Sequence, residues 1–313
     1  MNKVLLTGAS GFIGRHCLPL LVSKGYEVHA LSRRQPLDWA MPKVYWHEFD
    51  LLRPGSAAEL LRHLQPEYAL HLAWYAVPGK FWEARENLEW ARASLEFLRA
   101  FVDQGGKRIV AAGSCAEYNS TAGECVEDAT PLVPATLYGA SKHAVQAILQ
   151  ALSRKTGLSS AWGRIFYLYG PHEPPTRLVA YVINSLLRGE PALCSEGRQI
   201  LDFIHVEDVA SAFVALLESE VQGPVNVGSG RPVAVRDVLQ EIGRQLGPSE
   251  LIHFGARAET SEPERFWANT QRLNREVGWA PRYDLARGIA QTVDWWRATA
   301  EMAAHSAKER ASP

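Results

Sequence analysis

Residues 3–14 read KVLLTGASGFIG, an apolar strand pattern running straight into three glycines, Gly8, Gly11 and Gly14, spaced GxxGxxG. Val4–Thr7 has the composition of a buried strand, and the helical pattern Phe12–Lys24 follows at once. Glycine in such a turn lets the chain bend sharply, brings backbone N–H groups within reach of a pyrophosphate, and packs helix closely on strand. The helix N-terminus adds a favourable partial charge for the same anion. A plain tight strand-to-helix turn is the other reading of these glycines. The strand before them and the helix after them favour a dinucleotide site made by Gly8, Ser10, Gly11, Phe12, Ile13 and Gly14.

The same alternation continues outward. Glu27–Leu31, Val44–His47, Tyr68–Leu72 and Arg108–Ala112 read as strands, with helices over Pro54–His63 and Trp82–Gln104 between them; a helix over Tyr138–Ser153 and a strand over Ser160–Phe166 follow. Strands alternating with helices imply an α/β fold, a Rossmann-like doubly wound parallel sheet covered by helices on both faces. Pro19 lies inside the first helix, where it removes a backbone donor, and predicts a kink or an earlier end. The run YGPHEPPT, residues 169–176, is dense in turn formers and marks the entry to a smaller C-terminal α/β substrate lobe. Helical patterns recur at Leu178–Leu187, Val206–Leu217 and Val235–Leu246, and the small, polar residues from about Ala298 to Pro313 are expected to fray.

Beyond the second strand the chain reads VHALSRRQ, residues 28–35, and Ser32 follows Gly14 by 18 residues. An NAD-binding protein places a carboxylate about 20 residues beyond the glycines to bond the ribose 2′-hydroxyl. Here Ser32, Arg33 and Arg34 stand instead; a hydroxyl and two guanidiniums suit a 2′-phosphate, so NADP is preferred, with NAD possible. A basic solvated loop is the alternative. Asp50 and Leu51 end the third strand, where the carboxylate can meet an adenine amino group or cap a helix. In LHLAW, residues 70–74, Leu72 and the small Ala73 let backbone lie against a cofactor.

Tyr138 and Lys142, in LYGASKHA, are spaced i, i+4 on the expected helix and share one of its faces. A free phenol titrates near about 10, so acid–base work near neutrality needs a cation beside it, each tenfold change in the ionisation requiring about 1.4 kcal/mol. Lys142 is placed to be that cation. Ser114, at the C-terminal end of the strand RIVAAGS, can donate a third hydrogen bond to a substrate oxygen. An exposed helix face is the commoner meaning of such a pair, but here it follows a nucleotide loop and a strand end where open α/β sheets bind ligands.

Composition narrows the field. The 313 residues are 47% hydrophobic and 21% charged with a net charge of −1, which fits a folded globular chain and gives no basic field for nucleic acid. No run of about 18 apolar residues predicts a membrane span, and MNKVLLTGAS lacks the pattern of a signal peptide, so a cytoplasmic protein is expected. Cys17, Cys115, Cys125 and Cys194 show no metal or disulfide spacing and are expected to be reduced.

Taken together, TGASGFIG, LHLAW, ENL at 86–88, GSCAEY at 113–118, LYGASK, YGP, DFIHVEDVA at 202–210, NVGSG at 226–230 and VGWAP at 277–281 resemble the extended short-chain dehydrogenases/reductases that act on nucleotide sugars. The resemblance spans nearly the whole chain in the family's order. It implies an NAD(P)-binding Rossmann domain over 1–166 with returning segments at about 203–229, a substrate lobe over 167–202 and 230–298, and a tail over 299–313. It also implies that Tyr138 is the proton donor or acceptor, Lys142 a cation that also bonds the nicotinamide ribose, Ser114 an oxygen positioner, and Asn87 a support that bonds backbone. The substrate would be a nucleotide-sugar, and relatives pair as homodimers through helices matching Trp82–Gln104 and Tyr138–Ser153. Cys115 and Ala116 stand where the dehydratases of the group carry an acidic pair, which disfavours elimination of water. Leu201 replaces an arginine that grips the diphosphate, and Tyr167 replaces an asparagine. Arg177, Arg198 and Arg257 are candidates for the missing cation, each also readable as a surface arginine. Cys115 and Glu117 are placed to face the substrate, although packing explains Cys115 equally well. Reduction of a sugar ketone, 4-epimerisation with retained NAD, and a non-catalytic NAD(P)-binding regulator all remain open; the intact trio speaks against the last.

Overall fold

Strands form where apolar runs are buried, and helices where one face alone is apolar. The computed structural model describes residues 2–34, 39, 41–258 and 263–311. In chain order its elements are β1 (Lys3–Thr7), α1 (Gly14–Ser23), β2 (Glu27–Ser32), β3 (Val44–Glu48), α2 (Ser56–Leu64), β4 (Tyr68–His71), α3 (Glu86–Asp103), β5 (Arg108–Ser114), β6 (Gly123–Cys125), α4 (Leu137–Thr156), β7 (Ser159–Ile165) and β8 (Tyr167–Tyr169). There follow α5 (Leu178–Leu187), β9 (Ala192–Leu193), β10 (Ile200–His205), α6 (Val206–Glu218), β11 (Gly223–Val227), β12 (Pro232–Ala234), α7 (Val235–Leu246), β13 (Ile252–His253), β14 (Arg265–Ala268), α8 (Gln271–Arg275) and α9 (Leu285–Ala311).

Seven parallel strands make one sheet in the order β11-β7-β5-β4-β1-β2-β3. The order reverses between β1 and β4, which opens a crevice at the C-terminal strand ends. Side chains alternate across the sheet: Leu6, Ala30, Leu70 and Val110 pack with Cys17 and Leu21 of α1 and Phe213 of α6. Leu5, Leu31, Ala69 and Ile109 pack on the other face with Leu61 of α2, Phe97 and Phe101 of α3 and Leu149 of α4. The sheet is thus doubly wound, and each such large side chain stabilises it by about 1.5–3 kcal/mol.

A second sheet, β12-β10-β14-β6 with β8 beside β10, forms the lobe, together with the pair β13-β9 and a core drawn from α5, α7 and α9. Asp202 of β10 is buried and accepts from the backbone N–H of Ser229, Gly230 and Ala268 and from Ser229 Oγ. It thereby pins the NVGSG turn to the lobe sheet.

Three expected elements differ. Helix α1 starts at Gly14 rather than Phe12, because Gly11 N bonds Gly8 O at 2.9 Å and spends those residues on a turn. It then passes through Pro19 to Ser23 without ending. Helix α3 starts at Glu86 rather than Trp82, since Lys80 and Phe81 both bond back to Val77 O. The tail expected to fray continues α9 to Ala311, as its alanine, glutamate and lysine content allows; Ser312 and Pro313 lie outside the described residues.

Candidate active site

Ser114 ends β5 in a reciprocal cap: its Oγ accepts from Ala116 N at 3.2 Å, and its own N–H donates to Glu117 Oε1 at 2.8 Å. Helix α4 begins opposite, where Thr136 Oγ1 accepts from Gly139 N at 3.1 Å, and this places Tyr138 and Lys142 in its first two turns. Tyr138 N donates to Trp82 O, and the Tyr138 phenol lies near enough to the Ser114 side chain for that hydroxyl to favour the ionised form. The trio expected from the sequence therefore converges. Burial raises the Tyr138 phenol above its ordinary range, and the Ser114 hydroxyl only partly offsets this, so near neutrality it is a proton-bearing group. Lys142 is buried, donates from Nζ to Ala112 O at 2.8 Å, and is pushed down to about 7 by burial, with the Glu117 carboxylate acting in the opposite direction.

The glycine turn meets β4 across the crevice. A Cβ on Gly8, whose φ is +70°, would lie 2.9 Å from Ala73 N, and one on Gly14 would lie 2.2 Å from Gly8 O. Neither position admits a side chain. Thr7 closes the crevice floor: its Oγ1 accepts from Leu72 N and Ala73 N, so its single proton goes to His71 Nδ1, and His71 Nε2 then donates to Ser94 Oγ. Burial, then the nearby Lys142 charge, hold that imidazole neutral, down to about 3. His71 is a brace and not a base.

These surroundings fit a dinucleotide. No described side chain caps α1, whose N-cap is Ile13 and whose first turn carries no carboxylate, so Phe12, Ile13 and Gly14 present a helix N-terminus suited to an anion. Ser10 Oγ and Ser32 Oγ are 2.8 Å apart, joining the glycine turn to the end of β2, and Arg33 and Arg34 beyond them are exposed. Asp50 does not cap α2, whose N-cap is Gly55; it accepts from Leu52 N at 3.1 Å in an exposed turn, with Leu51 buried beneath it.

The candidate substrate residues divide. Glu117 is fully buried, with Trp162 Nε1 donating to Oε1 and Arg164 Nε to Oε2, both at 2.9 Å. Cys115 is partly buried and packs toward the lobe core. Tyr167 lies on β8 with its ring 6.0 Å from that of Phe203, and Leu201 is buried in the lobe core. Of the three arginines, Arg177 is the one whose charge reaches Tyr138, lowering the phenol. It bonds Glu173 Oε1 at 3.1 Å and Leu168 O at 3.3 Å. Arg198 is exposed, and Arg257 is held against Tyr181, its guanidinium 4.8 Å from the ring centroid.

Sequence reasoning misses the aromatic wall around the trio. The rings of Phe81, Trp82 and Trp74 stand edge-on to Tyr138 at 4.8, 5.8 and 6.4 Å, and Lys142 Nζ lies 3.9 Å from the Trp74 ring centroid. The signal is the aromatic density of WYAVPGKFW, residues 74–82. It also misses Glu173, nearly fully buried beside Arg177 with Oε2 unpartnered among the described residues, and raised to about 7 by burial.

Among the described residues there is no group of acidic, histidine or cysteine side chains able to hold a metal, and no helix long and apolar enough to cross a membrane. Comparison with known proteins agrees with the geometry. Residues 4–228 match the NAD dependent epimerase/dehydratase family. The UDP-glucose 4-epimerase of Azospirillum brasilense is 27% identical over 96% of this chain and 93% of its own length. The dTDP-glucose 4,6-dehydratase of Xanthomonas campestris is 28% identical over 95% and 93%. A crystal structure of Thermus thermophilus UDP-glucose 4-epimerase complexed with NAD superimposes with a TM-score of 0.83 at 25% identity, covering 94% of this chain and 99% of that one. With a dinucleotide crevice, a convergent Ser114–Tyr138–Lys142 trio and a family match over most of its length, the chain belongs to the NAD dependent epimerase/dehydratase family, enzymes of the extended short-chain dehydrogenase/reductase group.

Proposed function

We propose that the chain reduces a keto group, at C4 of a nucleotide-linked sugar, with NADP(H) as cofactor and Tyr138 as proton donor. The observation that carries this reading is the end of β2, where Ser32, tied to Ser10, is followed by exposed Arg33 and Arg34 at the position of the usual carboxylate. In it, Gly8, Gly11 and Gly14 hold the pyrophosphate, Ser10, Ser32, Arg33 and Arg34 the 2′-phosphate, Asp50 and Leu51 the adenine side, and Leu72 and Ala73 line the crevice. When bound, the nicotinamide supplies the hydride. Tyr138, kept protonated by burial, gives its proton to the developing alkoxide, which Ser114 holds within hydrogen-bond reach; Lys142 favours the phenolate left behind. Arg177 offers a guanidinium fork to the substrate diphosphate in place of the arginine absent at Leu201.

A second reading, 4-epimerisation with retained NAD, is favoured by the Azospirillum relative and by the NAD bound in the Thermus structure. The cofactor separates the two. Denaturing the purified protein and identifying released dinucleotide, then titrating NADPH and NADH by fluorescence, decides it. Weak, exchangeable binding with NADPH tighter by about tenfold or more supports reduction. Retained NAD, or NADH bound as tightly as NADPH, overturns it in favour of epimerisation.

A further inference from the structure

Lys142 sits in an unusual place for an ammonium. It is 4% exposed, so water does not solvate it, and its Nζ donates to the Ala112 carbonyl at 2.8 Å. The other large contact is an aromatic face: Nζ lies 3.9 Å from the centroid of Trp74, against 6.0 Å for Tyr138 and 6.0 Å for Trp162. Trp74 is itself fixed. Its Nε1 donates to Asn87 Oδ1 at 2.9 Å, and Asn87, fully buried, donates from Nδ2 to Phe81 O and Ala84 O. Asn87 therefore does more than bond backbone: it sets the indole plane under the lysine.

We propose that Trp74 is a positioning residue for Lys142, its indole face holding the ammonium beside Tyr138 at the floor of the cofactor crevice. A cation centred on an indole within about 6 Å is attracted by the ring quadrupole, most strongly where both are removed from water. The proposal rests on the catalytic reading of Lys142 given above, and it goes further by naming what keeps that group charged. The ionisable groups that face the ammonium are Glu117 from the turn after β5, His71 from β4 and Tyr138 one turn back on α4. Glu117 favours the charged form but is already paired with Arg164, and His71 is neutral. Burial opposes the charge and brings Lys142 down to about 7, so the indole works against a real penalty.

The test follows the lysine directly in the full-length protein without cofactor. With 13Cε-labelled lysine, the Lys142 resonance is assigned by its absence in Lys142→Met and titrated by NMR. Trp74→Leu should lower the Lys142 midpoint by about one pH unit, a tenfold change in its ionisation equilibrium, while Trp74→Phe, which keeps an aromatic face, should stay near the parent value. Should the leucine variant fail to fold, fluorinated tryptophans placed at 74 by codon suppression weaken the π face without changing its shape. Their midpoints should fall stepwise with each added fluorine. A midpoint unchanged or raised in Trp74→Leu, or indifferent to fluorination, overturns the proposal, since a tryptophan that only fills space would give that result. The underlying role of Lys142 is read separately: NADPH affinity and turnover undiminished in Lys142→Met would remove Lys142 from the mechanism without touching the titration result.

Discussion

Lys142 is destabilising where it stands. Its ammonium titrates at about 7 in the folded chain against 10.5 for the ordinary side chain, so between those values the unfolded state binds more protons and stability rises with pH. The penalty is fully present below about 7 and gone above 10.5. Lys142→Met should therefore raise the melting temperature near pH 6 by a few degrees, at about 2 °C per kcal/mol for a chain of this size, while abolishing turnover. Melting curves collected from about pH 6 to 11 should show the gap to the parent protein closing. Tyr138→Phe should leave cofactor affinity intact and lower kcat by about 100-fold or more if Tyr138 is the proposed proton donor; an unchanged kcat would remove Tyr138 from the chemistry. Glu117 makes the opposite case to Lys142. Glu117→Leu strands the Arg164 guanidinium without its carboxylate and should cost about 3–5 kcal/mol in denaturant unfolding, far more than a surface substitution.

At the scale of elements, the proposed preference for NADP rests on the end of β2. Replacing Arg33 and Arg34 together with alanine should weaken NADPH binding by about tenfold or more and leave NADH binding nearly unchanged, which paired titrations would measure. That element is legible in the sequence because its reading needs only local information: an apolar strand, a count from Gly14, and the absence of a carboxylate. The wholly buried β5, with Ser114 at its tip, is legible for the same reason. The partner of Glu117 is not legible in the sequence because it is distant along the chain. Parallel pairing of β5 with β7 sets Gly113 opposite Arg164, and only that register reveals that the carboxylate points into protein. The loop before α3 reads as helix by extension from the helical spacing of Leu88, Leu95, Leu98 and Val102, whereas the bonds of Lys80 and Phe81 to Val77 wind it into a turn that presents its rings to Tyr138.

For the whole molecule, α3 and α4 pack on one another and each leaves a large apolar side chain in the open, Leu88 at 55% and Ile148 at 48% exposed. A homodimer through these helices is the arrangement we propose, and sedimentation should give twice the 34.7 kDa chain mass, falling to that of one chain for Leu88→Glu with Ile148→Glu. The last strand of the large sheet, β11, arrives only after the chain has passed out through β8, α5 and β10 of the lobe, and a buried chain of polar groups locks it there. Asn226 of β11 accepts from the Tyr118 hydroxyl and donates to Cys125 O, while its backbone N–H donates to Glu127. During synthesis, then, the ribosome releases the glycine turn, the trio and six strands well before the edge that covers β7 exists. Until residue 227 has emerged, that flank lies bare. A fragment ending at Phe166 should aggregate or bind chaperones and hold no dinucleotide, so that this fold becomes competent late and all at once as it leaves the ribosome.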